Sequence, residues 1–333
     1  MKEPVHSIKS LTILLYFLIA LTLNACTQKS DRRSSLTFQK QDGLVLVKSG
    51  DQTLLGYQYE TKYPPVGVDS SYQRSAFIHP INSPHGQVLT RIQPSDHYHH
   101  YGIWNPWTHV LYNGDTLDFW NLHKRQGTVR FNQFDTIYSN DHLVKIKALE
   151  DHVVFNEKGE QVALREWKTI LVHAPEKESY IIDIIIDLRC AASSAFKILQ
   201  YRYGGFGWRT TEEWTPTTSE VLTSQGKTRD EADGTQARWC IIQGELGEDY
   251  GGMVMMSHPD NYNHPEPLRI WPSNSNNGEI FANFSPTKYA DWELAPGGTY
   301  TLKYRLLVFN GQCTRETADT AWRIFAKSAP QNY

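Results

Sequence analysis

The chain has 333 residues, with 36 acidic against 33 basic side chains and a formal net charge of -3, so it offers no basic footprint for nucleic acid. Ten Trp and 18 Tyr beside only four Met supply aromatic faces with polar edges, which suit sugar rings as well as protein cores.

Lys2 and Lys9 precede a largely apolar run over 11–21, and the stretch Leu23-Asn24-Ala25-Cys26 follows it. A basic start, an apolar core and a small residue before a cysteine are what secretion and lipid transfer require. The expectation is a bacterial lipoprotein: residues 1–25 are a signal peptide, Cys26 is lipidated, and the working protein is held by lipid at a membrane outside the cytoplasm. The apolar run is too short to span a bilayer comfortably. Loss of Lys2, Lys9 and Glu3 moves the charge from -3 to about -4. Thr27 and Gln28 place no Asp after Cys26, which leans toward the outer membrane of a Gram-negative bacterium. Such a protein has no routine access to ATP or nicotinamides, so no nucleotide cofactor is expected. The other cysteines, Cys190, Cys240 and Cys313, show no CxxC spacing and read as buried free thiols.

Residues 26–35 are polar, without periodicity, and predict a flexible tether. From Leu36 the chain breaks into short β-prone runs between turn residues: 44–47, 54–59, 88–92, 128–131, 144–149, 162–172, 180–188, 196–203, 253–256 and 300–309. In the last of these Tyr300, Leu302, Tyr304 and Leu306 alternate with Thr301, Lys303 and Arg305, which predicts one buried and one wet face. The fold class is therefore all-β, an antiparallel β-sandwich. Residues 315–326 read as a short C-terminal helix, with Ala318, Ala321, Trp322 and Phe325 on one stripe and Thr314 as its cap. No repeat or linker interrupts 36–326, so a single domain is expected there, with 327–333 as a tail. Stretches 63–66, 203–207 and 258–267 read as long functional loops.

The densest titratable cluster is Asp96-His97-Tyr98-His99-His100-Tyr101, with Arg91 before it and Trp104 and Trp107 after it. Imidazole both gives and takes protons near neutral pH and is the commonest metal ligand. On an extended segment His97 and His99 share one face, and Asp96 or His100 stands behind as an orienting group. A metal needs a third ligand from His79, His85, His123, His258 or Asp260; His258-Pro259-Asp260 has H-x-D spacing, and a divalent metal stays open as a cofactor. Gly226-Lys227-Thr228 looks like the end of a phosphate loop but fails, because Val221 stands where the first glycine belongs and no strand-to-helix context surrounds it. Lys227 and Arg229 either bind hydroxyls or a carboxylate of a substrate or sit in a solvated loop. Tyr201 to Arg209 runs a strand into glycines flanked by aromatics, where Tyr203 and Trp208 could stack on a sugar or pack in the core. No G-x-S-x-G nucleophile motif is present.

With these residues in hand, the chain resembles the PmoA-like family, labelled methane oxygenase. The carriers are Pro94-Ser95-Asp96-His97-Tyr98-His99-His100-Tyr101-Gly102-Ile103-Trp104, then Asp118-Phe119-Trp120, then Tyr201-Arg202-Tyr203-Gly204-Gly205-Phe206-Gly207. Residues 224–239 and 294–308 follow in the same order. In relatives Pro usually stands at the position of Tyr98 and Arg at that of Tyr101, so this chain departs there. The resemblance implies a galactose mutarotase-like supersandwich and a place in carbohydrate use. The oxygenase label fits poorly, because the particulate oxygenase is an integral membrane copper enzyme and this chain's one apolar segment is a signal.

The reading is a lipid-anchored carbohydrate-active enzyme, a hydrolase, lyase or epimerase, with His97, His99, His100 and Asp96 as catalytic candidates. Arg91, Trp104, Tyr203, Trp208, Lys227, Arg229 and His258 are candidate contacts to a carbohydrate ligand. A non-catalytic glycan-binding lipoprotein and a metal-dependent oxygenase are the alternatives.

Overall fold

Period-two alternation governs the chain, and every strand pair that it produces is antiparallel. A computed structural model describes residues 35–157 and 159–328, together with Met1. The signal, the lipidation candidate Cys26 and most of the tether and tail lie outside the described residues. Among the described residues no helix is long and apolar enough to cross a membrane.

One eight-stranded sheet runs in order through Leu36–Gln41, Leu44–Ser49, Gln52–Gln58, Phe77–Ile81, Ile103–Trp104, Phe206–Arg209, Phe281–Phe284 and Leu268–Ile270. The other runs through Ser219–Thr223, Trp239–Leu246, Asp249–Ser257, Tyr300–Asn310, Ser179–Cys190, Gly159–His173, Leu143–Asn156 and Gly127–Ser139. Val45, Leu55 and Ile78 of the first sheet share one apolar core with Ile146, Ile170 and Ile184 of the second, so the two pack as a sandwich. A small four-stranded sheet of Trp292–Leu294, Phe196–Ile198, Val110–Tyr112 and Asp115–Leu117 adds to the same core.

Two expected strands do not form whole. Segment 88–92 meets its neighbours only through single bridges, Asn82 to Val88, Thr90 to Thr210 and Ile92 to Tyr101. Each partner belongs to a different stretch of chain, so no continuous ladder can build. In 196–203 only Phe196–Ile198 is strand; beyond it the chain bends toward Gly204 and Gly205, both at positive φ (147° and 92°). The three described cysteines are free.

The C-terminal helix forms over Arg315–Ala326, with the Thr314 side chain accepting from the Thr317 N–H. Ala318 and Phe325 are buried against Trp239, Ile241 and Val254, with Ala321 and Trp322 packed alongside. Burying the Phe325 ring contributes on the order of 2 kcal/mol. That helix also corrects the wet-face expectation for Arg305. It covers that part of the sheet, so Arg305 is buried beneath Phe325 and makes a bidentate pair with Asp183 at 2.6 and 2.8 Å.

The sandwich interior holds charge. Along Leu143–Asn156 the core-facing positions Val144, Ile146 and Ala148 continue as Glu150 and His152, and Glu166 stands opposite Glu150 across the ladder. Two opposed buried carboxylates repel unless a cation lies between them. Lys168 supplies it, 2.7 Å from Glu150 and 3.1 Å from Glu166, while Tyr57 donates to Glu150 and His152 lies 2.9 Å from Glu166. Burial pushes the Glu150 carboxyl up despite Lys168; for Glu166 burial also pushes up, but Lys168 and His152 win and hold it low. Lys168→Met is expected to cost about 3 to 5 kcal/mol, read by denaturant unfolding at neutral pH, because it strands both carboxylates. A loss below about 1 kcal/mol would show that the cluster is held by other contacts.

Candidate functional site

The histidine motif is a turn, not the extended segment expected. His97 N–H donates to Pro94 O and His100 N–H to His97 O, which curls 94–100 back on itself. The turn ends at Gly102, whose φ is 56° and where a Cβ would lie 2.3 Å from Ile78 O, so only glycine fits there. The correction matters for chemistry. A strand would split the imidazoles between faces, whereas the turn gathers all three: ring centroids are 4.8 Å apart for His97 and His100, 4.8 Å for His99 and His100, and 5.4 Å for His97 and His99.

These rings line a cleft of about 310 Å³ whose other walls include Asn121, Arg202, Tyr203, Arg269, Trp271 and Phe281. Tyr203 is the half-open aromatic face. Its hydroxyl exchanges contacts with the Asn121 amide at 3.1 and 3.2 Å, and Asn121 is fixed by Asp118, which also takes Lys124 at 2.7 Å. Arg202 stands exposed beside Tyr201 and Tyr203, 5.8 and 5.5 Å from their rings. His100, 2% exposed, forms the floor with Trp104 and Phe281.

Behind the turn lies Arg209, fully buried, from the strand Phe206–Arg209. It reaches Asp96 at 3.3 Å, pairs with Glu279, and lies 4.7 Å from the Trp271 ring. Asp96 in turn places Oδ2 2.9 Å from His97 Nδ1, so its role as an orienting carboxylate has a geometric basis. Burial raises the Asp96 carboxyl, but Arg209 and His97 outweigh burial and hold it below its usual range. Burial pushes His99 down to about 3, with His97 and His123 adding repulsion, and pushes His100 well down, with His99 and Arg209 adding to it. Burial raises the Tyr203 phenol to about 12 against the Asn121 bond. At neutral pH the cleft therefore presents the neutral imidazoles of His99 and His100 and a protonated phenol.

Several expected contacts stand elsewhere. Trp208 is core: its indole N–H donates to Leu89 O and its ring packs edge-on against Trp214. Trp104, 1% exposed, supports His100 from below and does not line the cleft. Arg91 joins Glu279 at 3.0 Å and Glu212 at 3.4 Å, outside the cleft lining. Arg229 is buried and donates to Trp271 O, Gly278 O and Glu279 O, so it fastens the strap that carries Trp271 and Glu279. Lys227 points to Glu231 at 3.8 Å. The strand-to-helix context thought absent does exist, since Arg229–Ala232 forms one helical turn after the strand Ser219–Thr223, but four residues end it. His258 packs on Phe325 and lies 3.4 Å from Asp260, while His264 stacks on Trp322. His79 is bonded to Thr90, and His85 to Asp249 and Glu178. Among the described residues no three His, Cys, Asp or Glu side chains converge to hold a metal ion.

Sequence reasoning missed Arg209, Glu279 and Trp271. Arg209 and Asp96 are 113 positions apart, and no local pattern joins them. Because the folded His99 value lies below the ordinary one near 6.5, the native state binds fewer protons than the unfolded chain between those values. Stability from this group is present above pH 6.5 and is lost as pH falls toward 3. Imidazole NMR of the folded protein is expected to find His99 still neutral at pH 5; a midpoint near 6.5 would contradict the burial of its ring.

A family model described as a family of unknown function, DUF6807, matches residues 44–323. No curated protein matches the chain in sequence. Among solved structures, two of a heparan sulfate lyase from Pedobacter heparinus share 10% identity with it. The mutant form covers 84% of this chain and 37% of its own at a TM-score of 0.38, and the other covers 92% and 43% at 0.34. This chain thus spans under half of the lyase chains. A galactose mutarotase-related enzyme from Lactobacillus acidophilus shares 9% identity, covering 84% of this chain and 98% of its own at a TM-score of 0.29.

Proposed function

Because the chain belongs to the DUF6807 family, whose function is unknown, its own residues must carry the reading, and we propose a lipid-anchored, extracytoplasmic carbohydrate-active enzyme working by imidazole and phenol acid/base chemistry. The observation that carries this is one cleft lined by His97, with Asp96 2.9 Å from its Nδ1, and by the Tyr203 phenol, which keeps its proton.

His97 is the general base. It lines the cleft, and Asp96 beside Nδ1 supports the positive charge that the ring gains when its other nitrogen takes a proton. His99, depressed to about 3, is too weak a base for that step and serves as a neutral polar contact; His100 packs beneath both. Tyr203 is the proton donor, and its ring offers a sugar the apolar face that such rings stack on. Arg202 supplies donors to ring hydroxyls or a carboxylate. Among the described residues the cleft lining contains no carboxylate, so the paired-carboxylate arrangement of most glycosidases is not built here. A lyase or an epimerase, which moves a C–H proton between a base and an acid, fits better than a hydrolase.

Cys26 after Leu23-Asn24-Ala25 supports lipid attachment outside the cytoplasm, leaning to the outer membrane. Cys26→Ser is expected to release the protein from the membrane fraction and abolish labelling by a fatty-acid probe; unchanged labelling would remove the assignment.

Incubation of the purified protein with a panel of neutral, acidic and keto glycans, read by mass spectrometry, tests the enzyme reading. A product of altered mass or configuration is expected. A glycan that binds and is recovered unchanged would instead make this a glycan-binding lipoprotein. On the confirmed substrate His97→Ala should lower turnover by about 100-fold or more, and Tyr203→Phe should lower kcat while leaving KM nearly unchanged. Full turnover in His97→Ala would overturn the base assignment.

A further inference from the structure

A second cavity, about 560 Å³, lies beside the histidine cleft and has no part in the chemistry above. Two short helical turns, Ser70–Tyr72 and Leu122–Lys124, form the divide: Ser71 and Leu122 line this cavity, while Tyr72 stacks toward His99 and His123. Three guanidiniums line it, those of Arg74, Arg125 and Arg130. Two are already paired, Arg125 through Nη2 to both Asp69 oxygens at 2.7 and 2.9 Å and Arg130 through both Nη atoms to Glu160 at 2.6 and 2.9 Å.

Arg74 differs. It is only 2% exposed, and its Nε and Nη1 have no hydrogen-bond partner among the described residues. The Thr128 and Ser71 hydroxyls on the same cavity are likewise buried without partners. Glu150 and Glu166 are close enough to attract Arg74, but their hydrogen bonds and ion pairs go to Lys168, Tyr57, His152 and Asn105. Buried guanidinium donors are almost always satisfied, and a planar fork of N–H groups matches the oxygens of a carboxylate or sulfate. The hydrogen bonds of the nearby carboxylates come from other groups, which leaves the Arg74 Nε and Nη1 donors open.

We infer that this cavity is a second binding site, for an oxyanion carried by a ligand as a carboxylate or a sulfate group, with Arg74 as its anchor and Thr128 and Ser71 as added donors. The inference does not rest on the reading of the histidine cleft.

Calorimetric titration of the full mature protein with sodium sulfate and with sodium glucuronate tests it, against sodium chloride at matched ionic strength and neutral glucose. Saturable binding of at least one anion is expected. Sulfate alone identifies a sulfate site, and glucuronate alone a carboxylate site. Arg74→Gln should weaken that binding by about tenfold or more. His97→Ala should bind the anion as the unaltered protein does, which separates this site from the cleft. Absence of binding by both anions beyond the chloride control, or equal affinity in Arg74→Gln, would overturn the inference. If Arg74→Gln does not fold by circular dichroism, Thr128→Val takes its place: a severalfold loss is expected, and unchanged affinity would overturn the site.

Discussion

One buried guanidinium organises the histidine cleft. Arg209 leaves the strand Phe206–Arg209 with no exposure to water, so its charge must be met inside the protein. Asp96 meets it from the histidine turn and Glu279 from the segment before Phe281–Phe284, and the Trp271 ring lies against its face. Three pieces of chain distant in sequence are thereby tied to one group. Arg229 and Arg91 secure the same arrangement from outside, the first through the carbonyls of Trp271 and Glu279 and the second through the Glu279 carboxylate.

The consequences for proton chemistry follow from this packing. Closing the turn over Arg209 removes His99 and His100 from water, which favours their neutral forms, and leaves His100 beside the guanidinium. Asp96, held ionised by the same guanidinium, lies 2.9 Å from His97 Nδ1. Tyr203 faces them with its proton retained. Three identical side chains within four positions thus meet different surroundings.

The sequence foretold part of this, and the reasons for the division are physical. Alternation in 300–309 and the three- and four-residue stripe in 315–326 revealed a strand and a helix, because burial of one face imposes a period locally. Clustering marked 96–100 as a candidate but gave no hint of its shape, since a turn held by two backbone bonds leaves no periodic trace. Trp208 and Trp104 were misplaced because an aromatic side chain looks the same in a core as on a binding face. Arg305 was misplaced because the helix covering it lies outside its own strand. Arg209, Glu279 and Trp271 are joined only by the closure of the first sheet, so nothing short of the fold could pair them with Asp96. The core charges were within reach: Glu150 and His152 extend the apolar stripe of Val144, Ile146 and Ala148 at every second residue.

Arg209 is the clamp that holds the turn closed over His99 and His100. Replacing Arg209 by Gln and following the imidazole resonances of His99 and His100 against pH tests this directly. Loosening of the turn predicts that both rings begin to titrate near the ordinary histidine value of about 6.5. If both stay neutral down to the acid range of the unaltered protein, the clamp is not what organises the site.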